Sequence, residues 1–302
     1  MSPVRVHPSA RLAIVCAIAA FTIQPIAAAA GAITRTVFVT ITDDKGAAVT
    51  DLTPANFKVK EGGKDREIVK AAPATVQPRL ALMIEERLVG DYQARLGLFE
   101  FVKRMNGLAE ISLIGIGLSN TTIVPFVTDT NVLLKGINAL TLNGQPTSNL
   151  TECISDMAKI LQKDKPERPV IVVVAFSGGQ AGGASAHNVL TEIRQSGATL
   201  YAVTLGVPST TNNNNPNLGT MADESGREQV LGDGAKQSGG RRTEVVTTAA
   251  IQKALQQVAD DLAAQYQISY ALPDGVKPDK RFNVSTDRKG LSVRAPQGLP
   301  DK

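Results

Sequence analysis

The chain has 302 residues, of which 43% are hydrophobic and 20% are charged, as in a folded protein with one large domain and a smaller one. Aromatic residues make up 4% and tryptophan is absent, which disfavours a surface that stacks sugars or single-stranded nucleic acid. The formal net charge is +4 without a dense stripe of lysine and arginine, so no nucleic-acid partner is expected.

Residues 1–30 have the pattern of a secretory signal peptide. A basic start leads into a short apolar run at 12–21, and three alanines at 28–30 offer a cleavage site of small residues. The apolar run is too short to cross a membrane comfortably, and a Gln-Pro pair interrupts the segment behind it. We therefore expect this segment to be cleaved, no stable membrane span to remain, and the protein to be secreted or periplasmic.

The two cysteines fall on either side of the predicted cleavage site. Cys16 lies within the signal peptide and Cys153 in the rest of the chain. A secreted protein with one cysteine has no internal disulfide, so its core must hold it together. Cys153 falls beside the apolar stripe of a predicted helix, which predicts a buried thiol that packs rather than reacts.

Residues 31–78 are predicted to form a small all-β unit. Apolar and polar residues alternate over 33–41, and two further strand patterns, at 56–61 and 66–69, flank a Gly-Gly turn. A unit of this size is marginal alone. We therefore expect it to pack against the domain that follows.

Residues 79–273 are predicted to form an α/β domain, because strand and helix patterns alternate along them. The run at 169–176 is apolar and β-branched without alternation, which predicts a central parallel strand with helices over both faces. Two adjacent strand patterns at 110–117 and 121–127 predict an antiparallel edge. The predicted fold is therefore a doubly wound, mostly parallel, Rossmann-like sheet.

The last part of the chain carries further predictions. Residues 228–237 are weakly helical and interrupted by two glycines, and an amphipathic helix over 249–265 precedes a final strand of the same sheet at 267–272. Residues 274–302 are predicted to form a β-hairpin and a tail that pack with the N-terminal β unit. The Asn-rich segment at 210–220 is predicted to be a polar surface loop.

Four segments of the mature chain resemble one protein family. They are VFVTITDDKGAAVTDLTPANFKVKEGGKDREIV, KQSGGRRTEV, QQVADDLAAQYQISYALP and RFNVSTDRKGLSVRAPQG. Together they resemble bacterial secreted proteins with a von Willebrand factor type A-related domain, of the kind abundant in Acidobacteria. The resemblance covers nearly all of the mature chain and implies the same α/β fold with a β leader.

The resemblance also implies a divalent metal site at the carboxyl ends of the first and central strands. Its usual parts are an Asp-x-Ser-x-Ser motif, a threonine in a Gly-rich loop and an aspartate after the central strand, all of which offer oxygen ligands to a hard cation. Here the first motif aligns with residues 85–89. Glu85 replaces the aspartate, while Arg87 and Val89 replace the two serines.

The other two metal-site positions lie further along the chain. The loop threonine aligns with Thr147 or Ser148, and the final aspartate aligns with Ser177. Two oxygen ligands are therefore lost, and the guanidinium of Arg87 would repel a divalent ion. We expect no metal ion or other cofactor. The alternative is a cation such as Mg²⁺ held by Glu85, Ser148 and Ser177 with extra water molecules.

The sequence allows two catalytic interpretations. Residues 175–179 resemble a nucleophile elbow around Ser177, but His187 is the only histidine after the signal peptide, and no acidic residue lies between the two. Glu85 and Glu86 could form a catalytic carboxylate pair. Adjacent residues at a strand end point in different directions, so a charged surface is expected there instead.

The sequence favours a non-enzymatic, adhesion-type module that binds a protein. Its candidate ligand-binding residues are Glu85, Arg87, Thr147, Ser148 and Ser177, with Arg87 replacing the charge of the metal and receiving a carboxylate from the partner. Arg87 paired with a neighbouring glutamate and binding no ligand is an equal alternative. A serine hydrolase that uses Ser177 and a purely structural role in the cell envelope are the other two hypotheses.

Overall fold

The structure, a computed structural model, describes residues 33–141, 147–206 and 221–301. The predicted signal peptide, the polar loop at 210–220 and the part of the Gly-rich loop before Thr147 lie outside the described residues. Over the described ranges, no helix is both long enough and apolar enough to cross a membrane.

The secondary structure alternates between strands and helices over most of the chain. The strands are β1 (Ile33–Thr42), β2 (Phe57–Glu61), β3 (Lys64–Arg66), β4 (Ile68–Pro73), β5 (Arg79–Glu85), β6 (Glu110–Ile116), β7 (Asn120–Val127), β8 (Pro169–Phe176), β9 (Thr199–Leu205), β10 (Arg241–Val245), β11 (Tyr266–Leu272), β12 (Phe282–Thr286) and β13 (Ser292–Arg294). The helices are α1 (Tyr92–Arg104), α2 (Thr130–Ala139), α3 (Leu150–Asp164), α4 (Ala186–Ser196), α5 (Met221–Gln229), α6 (Ala235–Gln237) and α7 (Ala249–Ala263).

The larger sheet has six strands in the order β10-β9-β8-β5-β6-β7. All neighbours run parallel except β7, which pairs antiparallel with β6. The α/β fold class and the antiparallel edge predicted from the sequence are both confirmed. Since β8 and β5 are adjacent in the middle of the sheet, their carboxyl ends meet at one edge.

Both faces of this sheet are covered by helices, as the unbroken apolar run of β8 predicts. Val170, Val172 and Val174 pack into a cluster with α1, α2 and α7. The alternate residues of β8 pack on the other face into a cluster with α3 and α4. Alternate residues of β8 therefore pack into two cores, one on each face of the sheet.

The remaining strands form two smaller antiparallel sheets, in the orders β13-β1-β11-β4 and β12-β2-β3. The prediction that β11 completes the α/β sheet is wrong, because β11 lies between β1 and β4. Its buried side chains, Tyr266, Ile268 and Tyr270, belong to the core of the β unit. Period-two patterning identifies a strand, but it does not reveal which sheet the strand joins.

The predicted C-terminal hairpin is also wrong, although its two strands exist. β12 pairs with β2 and β13 pairs with β1, so the two strands join different sheets. Phe282 and Val284 of β12 pack into the same core as Phe57 and Val59 of β2. Both strands therefore pair with strands of the N-terminal part of the chain rather than with each other.

The weak helix predicted over 228–237 is longer and continuous. α5 runs through a π-helical segment at 230–234 into α6, and the glycines fall in that segment rather than breaking the helix. A Cβ at Gly234 would come within 3.2 Å of Leu190 and 3.3 Å of Leu200. The glycine therefore allows close packing of this helical segment against α4 and β9.

Candidate functional site

The candidate site is built around Glu85, the last residue of β5. Its side chain is fully buried at the edge where the parallel strands end. The backbone N–H of Phe176, the last residue of β8, donates to Oε2 of Glu85 at 2.7 Å. The parallel register of β5 and β8 thus directs a strand-end carboxylate onto the neighbouring strand.

Arg87 folds back onto Glu85 because a single 3₁₀ turn, residues 86–88, follows β5. Its Nε and Nη2 donate to Oε1 of Glu85 at 3.1 and 2.5 Å, and Nη2 also donates to the carbonyl of Gly178 at 2.8 Å. The guanidinium lies over the ring of Phe176, 4.6 Å from its centre, a favourable cation–π distance. A quarter of the Arg87 side chain, 25%, remains exposed.

The loop before α3 contributes Ser148. Its hydroxyl donates to Oε1 of Glu85 at 2.8 Å, and its backbone N–H donates to the carbonyl of Gly179 at 2.9 Å. Thr147 is buried beside it, but of these two described residues Ser148 is the one that hydrogen-bonds the carboxylate. The sequence left the choice between the two open, and the structure places Ser148 at the site.

Ser177 follows β8 directly and lies between two residues that contact the Glu85–Arg87 pair. Its backbone N–H donates to the carbonyl of Leu205 at 2.9 Å, which ties the strand-end loop to β9. His187, the histidine that a hydrolase would need, is exposed at the start of α4.

Arg227 of α5 is a site residue that the sequence reasoning missed. It is fully buried, and its Nη2 donates to Oε2 of Glu85 at 3.0 Å and to the carbonyl of Phe176 at 2.6 Å. Its Nη1 lies 3.3 Å from the hydroxyl of Ser148 and 3.4 Å from Oε1 of Gln180. Glu85 therefore receives five hydrogen bonds, three of them from guanidinium nitrogens.

One sequence signal could have revealed Arg227. It stands three and four residues before Val230 and Leu231, which are both buried. Residues at this spacing share one face of a helix, so Arg227 begins the stripe that faces the core. A charged side chain on such a stripe needs a buried partner, and Glu85 is that partner.

Glu86 differs from the sequence-based expectation of a charged surface. Glu85 is fully buried and Glu86 is 8% exposed, so the prediction is wrong for both residues. The expected divergence of the two side chains does occur. The Glu86 carboxylate lies over β6, where Cβ atoms at Gly115 and Gly117 would come within 3.2 and 3.1 Å of its oxygens.

A second carboxylate contacts the loop after β8. Oε1 of Glu224, on α5, accepts hydrogen bonds from the backbone N–H groups of Gly179 and Gln180 at 2.8 and 2.9 Å. Gly179 has a φ of +95°, a conformation that glycine adopts at little cost. α5 therefore contacts the site through one buried cation, Arg227, and one half-buried anion, Glu224.

Cys153 lies on α3 behind the site and is a buried free thiol. Burial, with smaller contributions from the negative charges of Asp156, Glu152, Glu86 and Glu85, raises the pKa of this thiol to about 12. Within the described ranges, no three His, Cys, Asp or Glu side chains gather as a metal-binding group.

Comparisons with known proteins give matches to solved structures only. No protein-family model matches the sequence, and no curated protein matches it. One structural match is the conserved hypothetical protein BatB from Bacteroides thetaiotaomicron, with a TM-score of 0.42 and 14% identity over 61% of this chain and 97% of that chain.

Two further matches carry the domain name in their descriptions. They are the von Willebrand factor domain of the type V pili tip protein Mfa5 from Porphyromonas gingivalis, with a TM-score of 0.44 and 12% identity over 62% of this chain and 95% of that chain, and a von Willebrand factor type A protein from Catenulispora acidiphila, with a TM-score of 0.45 and 8% identity over 90% and 76%. Identities this low bear on fold alone. The sheet of this chain is itself the mostly parallel α/β sheet with helices on both faces that the resemblance implies.

Proposed function

We propose that the α/β domain is a non-enzymatic protein-binding module that captures an acidic side chain of its partner at the strand-end site without a metal ion. One observation carries the proposal: both oxygens of the Glu85 carboxylate are already occupied by hydrogen-bond donors. A divalent cation needs free oxygen lone pairs. At this site it would also meet two guanidinium groups, which would repel it.

The chemistry that remains is anion recognition by Arg87. The planar guanidinium is fixed by Glu85, by the Gly178 carbonyl and by the ring of Phe176. Among the described hydrogen bonds of Arg87, none uses its Nη1 nitrogen, and part of the side chain is exposed. A fixed guanidinium with one open edge suits an incoming carboxylate. A secreted or periplasmic location, proposed from the pattern of residues 1–30, would make the open edge of Arg87 accessible to partners outside the cytoplasm.

Calorimetry with Mg²⁺, Mn²⁺ and Ca²⁺ tests the metal-free part of the proposal. We expect no saturable heat from the wild-type protein, because Glu85 has no oxygen lone pair to offer. A Ser148→Ala variant serves as the control, since it removes one candidate oxygen ligand but leaves both guanidinium groups in place. Saturable binding in the wild type that Ser148→Ala weakens would contradict a metal-free site.

Capture from the native cell envelope tests the role of Arg87. We expect Arg87→Ala to lose the captured protein and Arg87→Lys to retain part of it, since lysine keeps the charge but not the planar fork. Arg104→Ala is the matched control, because Arg104 lies on α1 and forms an exposed ion pair with Asp260. Equal capture by wild type and Arg87→Ala would refute the proposal.

An esterase screen with a Ser177→Ala control addresses catalysis. The proposed module should hydrolyse no ester in the screen. Hydrolysis by the wild type that Ser177→Ala abolishes would overturn the non-enzymatic proposal and support the hydrolase hypothesis.

A further inference from the structure

The loop after β8 presents two consecutive backbone N–H groups to one oxygen atom. The N–H groups of Gly179 and Gln180 converge on Oε1 of Glu224 at 2.8 and 2.9 Å. Adjacent N–H groups that converge in this way form a small anion-binding concavity. The loop adopts this shape at Gly179, whose φ is +95°.

This N–H pair lies directly against the guanidinium of Arg87. The carbonyl of Gly178 accepts from Nη2 of Arg87 at 2.8 Å, and a Cβ at Gly179 would come within 2.5 Å of the same nitrogen. The cation and the N–H pair therefore meet at Gly179, which packs against Arg87 and donates its N–H to Glu224. A carboxylate that reaches Arg87 arrives beside the position that Glu224 now fills.

The helix that supplies Glu224 contacts the strand-end site through charged side chains. Glu224 and Arg227 are three residues apart on α5, so they share one face of the helix. Arg227 binds Glu85, and Glu224 binds the loop. Of the α5 residues whose burial is described, Arg227 is the buried one. The Glu224 contact can therefore break while Arg227 keeps the helix anchored.

We propose that the N–H groups of Gly179 and Gln180 are the second carboxylate-binding point of the strand-end site, which Glu224 fills in cis until an acidic side chain of a protein ligand displaces it. This inference rests on the proposed function, since it assigns the partner's carboxylate to Arg87 and this N–H pair together. Glu224 is an internal competitor. The ligand can bind only those molecules in which Glu224 has left the N–H pair, so the apparent Kd is the intrinsic Kd divided by that fraction of molecules.

Titration of the ¹⁵N-labelled protein with the blocked peptide acetyl-Gly-Glu-Gly-amide tests the inference by NMR. We expect Glu224→Ala to bind the peptide about tenfold more tightly than wild type or better, because tethered groups compete at effective concentrations on the order of millimolar. The amide signals of Gly179 and Gln180 should shift with saturation. Glu228→Ala is the matched control, since it removes a negative charge from the same helix, where Glu228 bonds Arg242 instead. It should bind like the wild type.

Adding Arg87→Ala to each protein separates this inference from the proposed function. If wild type binds the peptide through Arg87 but Glu224→Ala binds no more tightly, the internal competitor is refuted and the proposed function stands. If Glu224→Ala binds more tightly at Gly179 and Gln180 whether or not Arg87 is present, the N–H site stands and the role of Arg87 falls. If no variant binds the peptide, both are overturned. A thermal melt of each variant checks that it is folded.

Discussion

Two buried glutamates in this protein each lie beside two arginines, but the arginines differ in how far they are exposed to solvent. Glu61 at the end of β2 and Glu85 at the end of β5 are both fully buried. Arg35 donates to Glu61 at 2.6 Å and Arg66 lies 3.6 Å from it, just as Arg87 and Arg227 surround Glu85. Each carboxylate thus lies between two guanidinium groups supplied by different parts of the chain.

The difference is in how completely each carboxylate is bonded and how far its arginines reach solvent. The arginines of Glu61 are enclosed, with side chains 11% and 7% exposed, and Oε2 of Glu61 accepts no hydrogen bond from the described residues. Glu85 accepts five hydrogen bonds, yet Arg87 is 25% exposed. The cluster of one glutamate and two arginines is therefore an internal contact of the β unit at Glu61, whereas at Glu85 it leaves one arginine partly exposed to solvent.

The largest effect should come from removing the two glutamates. Glu85→Ala leaves the fully buried Arg227 without a counter-ion, so we expect a loss of about 3–5 kcal/mol in the free energy of unfolding. Glu61→Ala removes two hydrogen bonds, from Arg35 and from the backbone of Asp279, and should cost about 1.5–3 kcal/mol. Urea unfolding of both variants measures the difference.

The exposed Glu228→Ala variant is the control for loss of a negative charge. If Glu85→Ala does not fold, Glu85→Gln keeps the shape of the side chain and allows the same ranking against Glu61→Gln. Equal losses at the two positions would mean that the number of hydrogen bonds to a buried carboxylate does not decide its contribution.

The two arginines of the strand-end site should differ next. Arg227→Met removes one of the two cations that neutralise the buried Glu85 carboxylate. We expect the free energy of unfolding to fall by about 3 kcal/mol. Arg87→Met should lose only about 1 kcal/mol, because solvent already screens part of its interaction. Unfolding curves give both values. A loss for Arg87→Met as large as that for Arg227→Met would indicate that Arg87 is a structural residue rather than a ligand-facing one.

Most of the fold could be predicted from local patterns. The unbroken apolar run of β8 predicted two covered faces, and the adjacent strands β6 and β7 predicted the antiparallel edge. β11, β12 and β13 were predicted as strands but assigned the wrong partners. Strand pairing is decided by contacts distant in sequence, such as Phe38 opposite Gln267, and no local pattern encodes that choice.

The residues of the site could be predicted only where they occupy positions of a sequence motif. Glu85, Arg87 and Ser148 were found because they occupy aligned positions of a known metal site. Arg227 is 142 residues from its partner Glu85 and stands in a polar helix, where a charged residue ordinarily faces water. Only its spacing before Val230 and Leu231 indicated burial, and the periodicity of a short helix interrupted by glycines is a weak signal.

An effect smaller than that of Arg227→Met should follow from filling the space beside Arg87. In Gly179→Ala, the new Cβ would lie 2.5–2.9 Å from the Arg87 guanidinium. The alanine backbone would also have to adopt a φ of +95°. We expect a stability loss of about 1–2 kcal/mol, together with the weaker carboxylate binding expected of Arg87→Ala. Gly46→Ala is the control, since its φ is +79° and nothing lies within 4 Å of the new Cβ. If binding survives in Gly179→Ala, the placement of Arg87 against this loop does not matter for ligand capture.

The smallest effect of the strand-end charge should appear at Cys153, whose thiol pKa is raised slightly by Glu85, whereas Glu61 is not among the causes of its shift. Burial raises the pKa of this thiol from 9.0 to about 12, with smaller contributions from nearby carboxylates including Glu85. The folded state therefore keeps its proton where the unfolded state loses it. The resulting stabilisation is complete below pH 9 and is lost as the pH rises towards 12.

Comparing wild type with Cys153→Ala isolates this contribution. Their difference in unfolding free energy should shrink by up to about 1.4 kcal/mol per pH unit above the ordinary thiol pKa, and the native thiol should resist alkylation at pH 8 until urea unfolds the protein. Because burial is the dominant cause of the shift, Glu85→Gln should accelerate alkylation of the folded protein only modestly at pH 10. Glu61→Gln should leave the alkylation rate unchanged, and a large acceleration in either variant would show that opening of the fold, rather than the local charge, controls access to the thiol.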